Sequence, residues 1–396
     1  MTERWEWFVP GRLEVFGKHT DYAGGRSLVA AVPRGMTVSA VPTNDRSVAV
    51  EDVMTGQRAL FPLRGEANVV GWRRYVSTVI CRLSRNFPEA NLSARIEIAS
   101  NLPRAAGISS SSALVVGIAE ALIARGEIEQ TERWKEAIRS REDRAAYFGC
   151  IENGASFGPL AGDEGVGTHG GSEDHAAILT SRAGYLQQFS FAPLRLDRAV
   201  AMPDGWTFVV ASSGVRARKT GEARTAYNEA ASRASLIASA WRQTHAGDNR
   251  TLGQLVRDQE TFDSLALSAE LQARLAHFIA EDARVPRAAD AFEQGDAPEI
   301  GRLAEASQRD AERLLGNQVP ETTELVALAR AGGAAAASGF GAGWGGSVWA
   351  LVRKDLASAF LDEWLSAYRA RHPYLAAEGF VSDPSAGLRR TSSPIR

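Results

Sequence analysis

The sequence is poor in cysteine, and it has neither a long apolar segment nor an excess of charge of one sign. Cys81 and Cys150 alone are too few for a disulfide scaffold or a zinc site. No apolar run reaches the roughly 20 residues of a membrane-spanning helix, and residues 1–12 carry charges where a signal peptide needs an apolar stretch. The 45 basic and 47 acidic residues lack the basic excess of nucleic-acid-binding proteins. We therefore expect a cytoplasmic protein with no membrane and no nucleic-acid partner.

Several common catalytic motifs are also missing. The sequence contains no G-x-x-x-x-G-K-[ST] phosphate loop, no H-R-D and D-F-G pair, no H-E-x-x-H and no G-x-S-x-G. A G-x-G-x-x-G pattern does occur at Gly341, Gly343 and Gly346. A dinucleotide site needs a strand before these glycines and a helix after them, whereas the sequence predicts a helix before and a strand after. The pattern therefore argues against a dinucleotide site.

Hydrophobic periodicity predicts a mixed α+β fold, because strands and helices occur without regular βαβ alternation. The predicted strands are 36–42, 47–53, 92–99 and 347–352. The predicted helices are 71–85, 111–125, 131–149, 219–246, 251–260, 266–282, 297–315, 324–337 and 355–370. A weak boundary near 191–206, marked by two prolines, predicts two domains, 1–195 and 196–396.

Three segments rich in glycine and polar residues carry the functional signal. Residues 11–25 read GRLEVFGKHTDYAGG, residues 102–114 read LPRAAGISSSSAL, and residues 338–352 read SGFGAGWGGSVWALV. The four serines stand where an apolar helix must begin, and a helix N-terminus suits an oxyanion or phosphate. Helix capping is the alternative, although one serine is enough for a cap. The glycines of the third segment predict close approach of the backbone to a ligand or to another loop.

Together, in this order, the three segments resemble the GHMP kinase superfamily and, within it, the galactokinases. The galactokinase signature G-R-x-N-x-x-G-E-H-T-D-Y-x-x-G is similar to residues 11–25, and P-x-G-x-G-L-S-S-S-A is similar to residues 103–112. The late motif G-x-G-F-G-G is similar to residues 341–346. The resemblance implies ATP-dependent phosphorylation of a sugar, typically at the C1 hydroxyl of galactose. It also implies an N-terminal domain like domain 2 of ribosomal protein S5 and a ferredoxin-like C-terminal domain, with the site between them.

The resemblance also implies roles for individual residues. Asp174 is the expected proton acceptor, and Arg12 is the expected partner of Asp174 and of the transferring phosphate. The other implied contacts are Lys18, His19, Asp21 and Gly171 for the sugar; Trp72, Gly107, Ser109, Ser110, Ser111 and Ser112 for ATP as co-substrate; and Ser111 and Glu152 for Mg²⁺. Two alternatives stay open: Glu152 as a surface residue at a helix end, and Trp72 as a helix anchor. Glu173, next to Asp174, points elsewhere if that segment is extended.

The chain departs from the galactokinase pattern at several positions. Glu14 and Lys18 stand where galactokinases have Asn and Glu, and Ala223 stands where they have a sugar-contacting Tyr, for which Tyr227 is a possible substitute. About ten additional residues at 158–169 contain several glycines, which predict a mobile loop beside the site.

These departures leave the substrate open. Either Glu14 pairs with Lys18 inside the protein, or Lys18 meets a carboxylate of the substrate. The first reading favours galactose, and the second favours a uronic acid such as galacturonate. Arabinose or another small molecule is a further alternative, as is a non-catalytic sugar sensor. No obligate protein partner is evident.

Overall fold

The computed structural model describes residues 3–64, 69–103, 106–215 and 222–392. The predicted site residues all fall within these ranges. Arg104 in the serine-rich segment and Arg216, in a stretch similar to the galactokinase S-x-V-R-H segment, lie outside the described residues. Among the described residues, no helix combines the length and the apolar character needed to span a bilayer.

The strands form two sheets. They are β1 (Trp5–Phe16), β2 (Arg26–Pro42), β3 (Ser47–Asp52), β4 (Gln57–Pro62), β5 (Ala94–Ser100), β6 (Tyr185–Ser190), β7 (Arg195–Ala201), β8 (Trp206–Ser212), β9 (Ala336–Phe340), β10 (Ser347–Arg353), β11 (Glu378–Ser382) and β12 (Arg389–Ser392). The first sheet has the order β12-β1-β2-β5-β3-β4, and β6 joins it beside β2 and carries β7. The second sheet has the order β11-β8-β10-β9. Within the described ranges, β3 and β5 are the one pair of strands that run in parallel.

The helices cover these sheets. They are α1 (Trp72–Asn86), α2 (Ser110–Arg125), α3 (Glu132–Ala137), α4 (Arg141–Asn153), α5 (Glu173–Thr180), α6 (Glu222–Thr244), α7 (Leu252–Arg257), α8 (Ala269–Gln294), α9 (Ala297–Asp310), α10 (Pro320–Ala331) and α11 (Ala357–Arg371). Helix α2 packs against β1 and β2, and α8 packs against both β2 and α9.

Three predicted helices were wrong in extent. The predicted helix 266–282 begins at Ala269 and continues to Gln294 as α8. The predicted helix 131–149 is divided into α3 and α4, because Ser140 leaves the helical conformation and caps α4 by accepting a hydrogen bond from the Asp143 N–H. The predicted helix 324–337 ends at Ala331, where Gly332 and Gly333 follow. The next alanines form β9, which pairs with β10. The glycine-rich segment is therefore the loop of a β-hairpin and has a strand on each side, not a helix before it.

The strand pairing does not change sheets at residue 195. Strand β7 crosses the predicted boundary and pairs with β6 in the first sheet, so the chain enters the second sheet only at β8. Strand β12, near the end of the chain, returns to pair with β1. A boundary between β7 and β8, with β12 assigned to the first lobe, fits the pairing better.

A shared hydrophobic core joins the two lobes beneath the polar segments. Trp349 on β10 is fully buried and makes edge contacts with Phe16 of β1, at 6.1 Å between ring centroids, and with Phe208 of β8, at 5.6 Å. Phe16 directly precedes the segment 17–25. The core therefore fixes the start of this segment against the second lobe.

Candidate active site

Arg12 is the centre of the polar pocket. It lies on β1 between two irregularities in the pairing with β2, which are places where a strand can redirect a side chain. Its Nε is 2.8 Å from Oδ1 of Asp174 and 3.1 Å from Oε1 of Glu173, and its Nη1 donates to the carbonyl of Gly107 at 2.9 Å. Burial alone would lower the pKa of Arg12, but the surrounding carboxylates raise it above its ordinary value. Arg12 is therefore a permanent cation that joins β1, α5 and the serine-rich loop.

Asp174 and Glu173 both face Arg12, which corrects the expectation for Glu173. The segment is the first turn of α5 rather than extended chain, so adjacent carboxylates can reach the same guanidinium. Burial, with a contribution from Glu14, raises the pKa of Glu173 well above its ordinary value. Asp174 makes the shorter of the two contacts with the guanidinium, and it remains the expected proton acceptor of the pair.

The serine-rich loop leads into α2, but its serines do not act as a cap. Ser109 is the N-cap residue with φ of 57°, and its side chain makes no capping hydrogen bond. Its Oγ is buried without a hydrogen-bond partner among the described residues. The geometry thus removes the capping explanation for Ser109 and leaves the N-terminus of α2 open to an anion.

Ser112, rather than Ser111, is the serine that contacts the acidic residues. Its Oγ donates to Oε2 of Glu152 at 2.8 Å and lies 3.0 Å from Oδ2 of Asp174. Glu152 is buried near the end of α4, so it is not the surface residue of the alternative reading. A hydroxyl and carboxylates are hard oxygen donors that fit Mg²⁺. Within the described ranges, no group of three or more His, Cys, Asp or Glu side chains is arranged to hold a metal.

The glycine-rich hairpin loop packs on the serine-rich loop. The N–H of Gly341 donates to Oε2 of Glu14 at 2.9 Å, and Oγ of Ser347 donates to the carbonyl of Ala106 at 2.7 Å. Gly341 has φ of 79°, and a Cβ there would lie 2.9 Å from the carbonyl oxygen of Gly107. The predicted close backbone approach is confirmed, and the partner is another loop. Glu14 therefore links β1 to this hairpin.

The predicted sugar contacts Asp21, His19 and Gly171 line the same pocket. Oδ2 of Asp21 accepts from the N–H of Glu173 at 3.2 Å, and a Cβ on Gly171 would overlap this carboxylate. The nitrogens of His19 contact the hydroxyl of Tyr22 at 2.9 Å and the carbonyl of Ala342 at 3.0 Å. Glycine at 171 is therefore required by the position of Asp21, and His19 connects the two lobes at the pocket wall.

Tyr227 also lines the pocket, which answers the question raised by Ala223. The ring of Tyr227, on α6, lies 5.2 Å from the ring of His19. Burial and the nearby Asp21 carboxylate raise the pKa of the Tyr227 phenol well above its ordinary value. The phenol therefore stays protonated beside the carboxylate of Asp21.

Lys18 does not line the pocket, in contrast to its predicted role. Its side chain is 1% exposed, and its Nζ donates to Oγ of Ser307 at 2.6 Å and to Oγ of Ser338 at 3.0 Å. Burial lowers the pKa of Lys18, while the charge of Glu281 opposes that shift. In galactokinases the residue at this position is expected to contact the sugar. In this chain the residue is Lys18, and its side chain lies in the interface between the two lobes. Among the described residues, Glu14 forms its ion pair with Arg12 at 3.4 Å and none with the ammonium group of Lys18.

The additional residues 158–169 form an anchored loop, which corrects the expectation of mobility. Asp163 pairs with fully buried Arg82 through two contacts of 3.1 Å, and Arg82 also donates to the carbonyls of Ala155 and Cys150. The side chain of Asn228 donates to the carbonyl of Gly167 at 3.0 Å. These contacts hold the end of the loop, including Thr168, in a fixed position in the pocket wall.

Trp72 lies apart from this pocket at the start of α1. Its indole N–H donates to the side chain of Gln57 at 2.9 Å, and its ring makes an edge contact with Phe61 at 6.5 Å. The ring is partly exposed, so a platform for adenine and an anchor for α1 are both compatible with its position.

Ser110 and Ser111 begin α2 beside Gly107 and Ser109, as the predicted phosphate loop requires.

Sequence reasoning missed several pocket residues. They are Asn153, Thr168, Gly170 and His175, in addition to the unexpected positions of Glu14 and Glu173. Thr168 is buried, and its hydroxyl has no hydrogen-bond partner among the described residues. Nε2 of His175 is 3.3 Å from Oε2 of Glu152. Their proximity to Glu152 and Asp174 in the sequence was the only available signal.

Three family descriptions match parts of this chain. The galactose-binding signature of galactokinases matches residues 2–42, the GHMP kinase N-terminal domain matches 74–146, and the GHMP kinase C-terminal domain matches 288–370. A galactokinase of Roseiflexus sp. (strain RS-1) is 29% identical over 365 residues, which are 91% of this chain and 86% of that protein.

Solved structures show the same architecture. The galactokinase of Lactococcus lactis complexed with galactose superimposes with a TM-score of 0.81 at 22% identity, covering 98% of this chain and 95% of that one. The mevalonate kinase of Methanococcus jannaschii superimposes with a TM-score of 0.59 at 14% identity, covering 97% and 99%. The fold is the two-lobed α+β fold of these kinases, which confirms the predicted fold class.

Proposed function

Because the chain belongs to the GHMP kinase superfamily and is galactokinase-like, we propose that it transfers the γ-phosphoryl group of ATP to the C1 hydroxyl of galactose. The observation that carries the proposal is the 2.8 Å contact between Arg12 and Asp174, inside a pocket that also contains Ser112, Glu152 and Asp21. A permanent cation, a carboxylate and the open N-terminus of α2 are what phosphoryl transfer to a hydroxyl requires.

The pocket residues divide the chemistry between them. The acceptor hydroxyl gives its proton to the carboxylate of Asp174 as its oxygen forms a bond to the γ-phosphorus, and the bond to the bridging oxygen of ADP breaks. Arg12 stabilises the negative charge that spreads over the phosphoryl oxygens. Ser112 and Glu152 would hold Mg²⁺, which neutralises phosphate charge when it is bound. Asp21 accepts hydrogen bonds from sugar hydroxyls and orients the acceptor.

A neutral sugar fits the pocket better than a uronic acid. The ammonium group of Lys18 is turned away, and it donates to Ser307 and Ser338. The pocket wall instead carries the carboxylates of Asp21 and Glu14. A substrate carboxylate would meet like charge without a nearby lysine, which disfavours binding. Galactose is therefore a better candidate substrate than galacturonate. Arabinose differs from galactose by the absence of the hydroxymethyl group.

The pairing of Arg12 with Asp174 also favours an enzyme over a non-catalytic sugar sensor. A sensor needs groups that recognise sugar hydroxyls, but it has no use for an acid aligned with an arginine beside a phosphate loop. The cytoplasm, which supplies ATP, is the compartment that suits this activity.

The test is an ADP-release assay with galactose, galacturonate, arabinose and glucose, followed by ³¹P NMR of the product. We expect the highest kcat/KM with galactose and a product phosphorylated at C1. Preference for galacturonate would overturn the choice of sugar. Sugar binding without ADP release for every sugar in the panel, with ATP still bound, would overturn the kinase assignment in favour of a sensor.

A further inference from the structure

A cationic cleft adjoins the polar pocket around Arg12 and Asp174, which is called the reaction pocket below. Its walls include Arg74 on α1, Arg224 on α6 and Gly167 in the anchored loop. A Cβ placed on Gly167 would lie 3.2 Å from Nη2 of Arg74 and 3.5 Å from Nη1 of Arg224. Two guanidinium groups from different helices therefore converge on the same point, and glycine at 167 leaves that point open.

No carboxylate in the described part of the chain neutralises this convergence. Among the described residues, no carboxylate lies within ion-pair distance of Arg74 or Arg224, while Glu229, which also lines the cleft, is 4.0 Å from Arg233 on the next turn of α6. Both arginines are partly exposed rather than buried. Two like charges held near each other without a counter-charge form a site for an anion, because the anion removes their repulsion.

The cleft and the reaction pocket are lined by residues that are neighbours in the sequence. Thr168 follows Gly167, and Tyr227 precedes Asn228 of the cleft wall; both line the reaction pocket. Arg74 lies in the same turn of α1 as Trp72, the predicted adenine platform. The reaction pocket itself is strongly acidic, and Arg12 is the one arginine or lysine in its described lining. A triphosphate entering there needs further cations.

We propose that Arg74 and Arg224 form a phosphate-binding site that holds the phosphate groups of the nucleotide. The inference rests on the proposed kinase function, and it adds two residues that no motif of the sequence marked. Their guanidinium forks suit phosphate oxygens, which they can bind in a bidentate manner. Free inorganic phosphate and a sugar phosphate present the same chemistry, so the experiment must separate these sources from the nucleotide.

The experiment is calorimetric titration of Arg74→Gln, Arg224→Gln and the double variant with a non-hydrolysable ATP analogue, adenosine and inorganic phosphate. Loss of one charged hydrogen-bonding partner is expected to weaken binding of the ATP analogue about tenfold in each single variant. Adenosine affinity should stay unchanged, since adenosine carries no phosphate. Matched controls are Arg85→Gln at the other end of α1 and Arg233→Gln on α6, which should bind the analogue like the wild type.

Unchanged affinity of the double variant for the ATP analogue overturns the nucleotide assignment. If that variant also loses phosphate binding shown by the wild type, the occupant is a free phosphate group instead. Equal weakening of adenosine would mean that the substitutions disturb the fold locally, and it would also overturn the assignment. These outcomes are independent of the proposed function, because failure of that proposal appears as absence of sugar phosphorylation by the wild-type protein.

Discussion

Arg12 and Asp174 lie far apart in the sequence, yet Nε of the arginine is 2.8 Å from Oδ1 of the aspartate. The first comes from the middle strand region of β1 and the second from the first turn of α5. The same guanidinium donates to the carbonyl of Gly107 at 2.9 Å. One side chain therefore sets the distance between the proposed proton acceptor and the proposed phosphate loop.

Asp174→Asn should lower kcat by about 10²–10⁴, the usual range for loss of a general base. The affinity for nucleotide should be nearly unchanged, as measured by calorimetry. Glu173→Gln is the matched control, because Glu173 faces the same guanidinium and Gln keeps the shape of its side chain. A dead Glu173→Gln variant beside an active Asp174→Asn variant would exchange the roles of the two acids.

Ser112→Ala should raise the Mg²⁺ concentration needed for half-maximal activity, because the hydroxyl between Glu152 and Asp174 is lost. Ser111→Ala, one position earlier in the same turn, should change the titration less. Binding of Mn²⁺, followed by electron paramagnetic resonance, gives a readout separate from turnover. A larger effect of Ser111→Ala would restore the role that the motif alone predicted for it.

Glu14→Gln should change how stability depends on pH. Burial raises the pKa of Glu14 to about 7, although Arg12 and Lys18 oppose that shift. Since the folded state binds this proton more tightly than the unfolded state, the stability of the wild type falls as pH rises from the unfolded pKa of about 4.5 through about 7. The shift corresponds to about 3 kcal/mol at full ionisation.

The variant cannot ionise at this position, so its stability should decline less over the same pH interval. Urea unfolding at pH 4.5, 6 and 8 measures the difference between the two proteins. Parallel pH dependence of wild type and Glu14→Gln would show that another group titrates in this interval.

Arg82→Met should destabilise the protein by about 3–5 kcal/mol, because it leaves Asp163 and two backbone carbonyls without their buried partner. The loop 158–169 should also become sensitive to limited proteolysis, and kcat should fall because Thr168 and Gly170 line the pocket. Arg58→Met, which removes an exposed pair with Glu51, is the control and should have little effect. A protease-resistant loop in Arg82→Met would contradict the anchoring role.

The sequence was sufficient to predict that the three glycine and polar segments form one site. Each of these segments has a local geometry that its own residues impose, such as the N-terminus of α2 after Gly107 or the turn at Gly24. The resemblance of the chain to galactokinases placed Arg12, Asp21 and Asp174 in one site, and the structure brings the three side chains together in one pocket, while their roles stay predictions.

The rest depends on contacts that no local pattern encodes. Lys18 is held outside the pocket lining by Ser307 on α9 and Ser338 on β9, which are distant in the sequence. Glu173 faces Arg12 only because its segment is helical, and that short segment carries little periodicity. The alanines after Gly333 read as helix from their intrinsic propensity. Pairing with β10 overrides this propensity and makes them a strand.

Strand β12 has a consequence for the synthesis of the protein. It pairs with the start of β1, where Arg389 is opposite Phe8. On the ribosome β1 is made long before β12, so this edge of the first sheet stays open until residues 389–392 have emerged. A chain that stops after α11 would contain the reaction pocket residues and still expose the unpaired backbone of β1, which is a template for aggregation. Pairing with β12 therefore protects the edge of β1, the strand that carries Arg12, only after β12 has been synthesised.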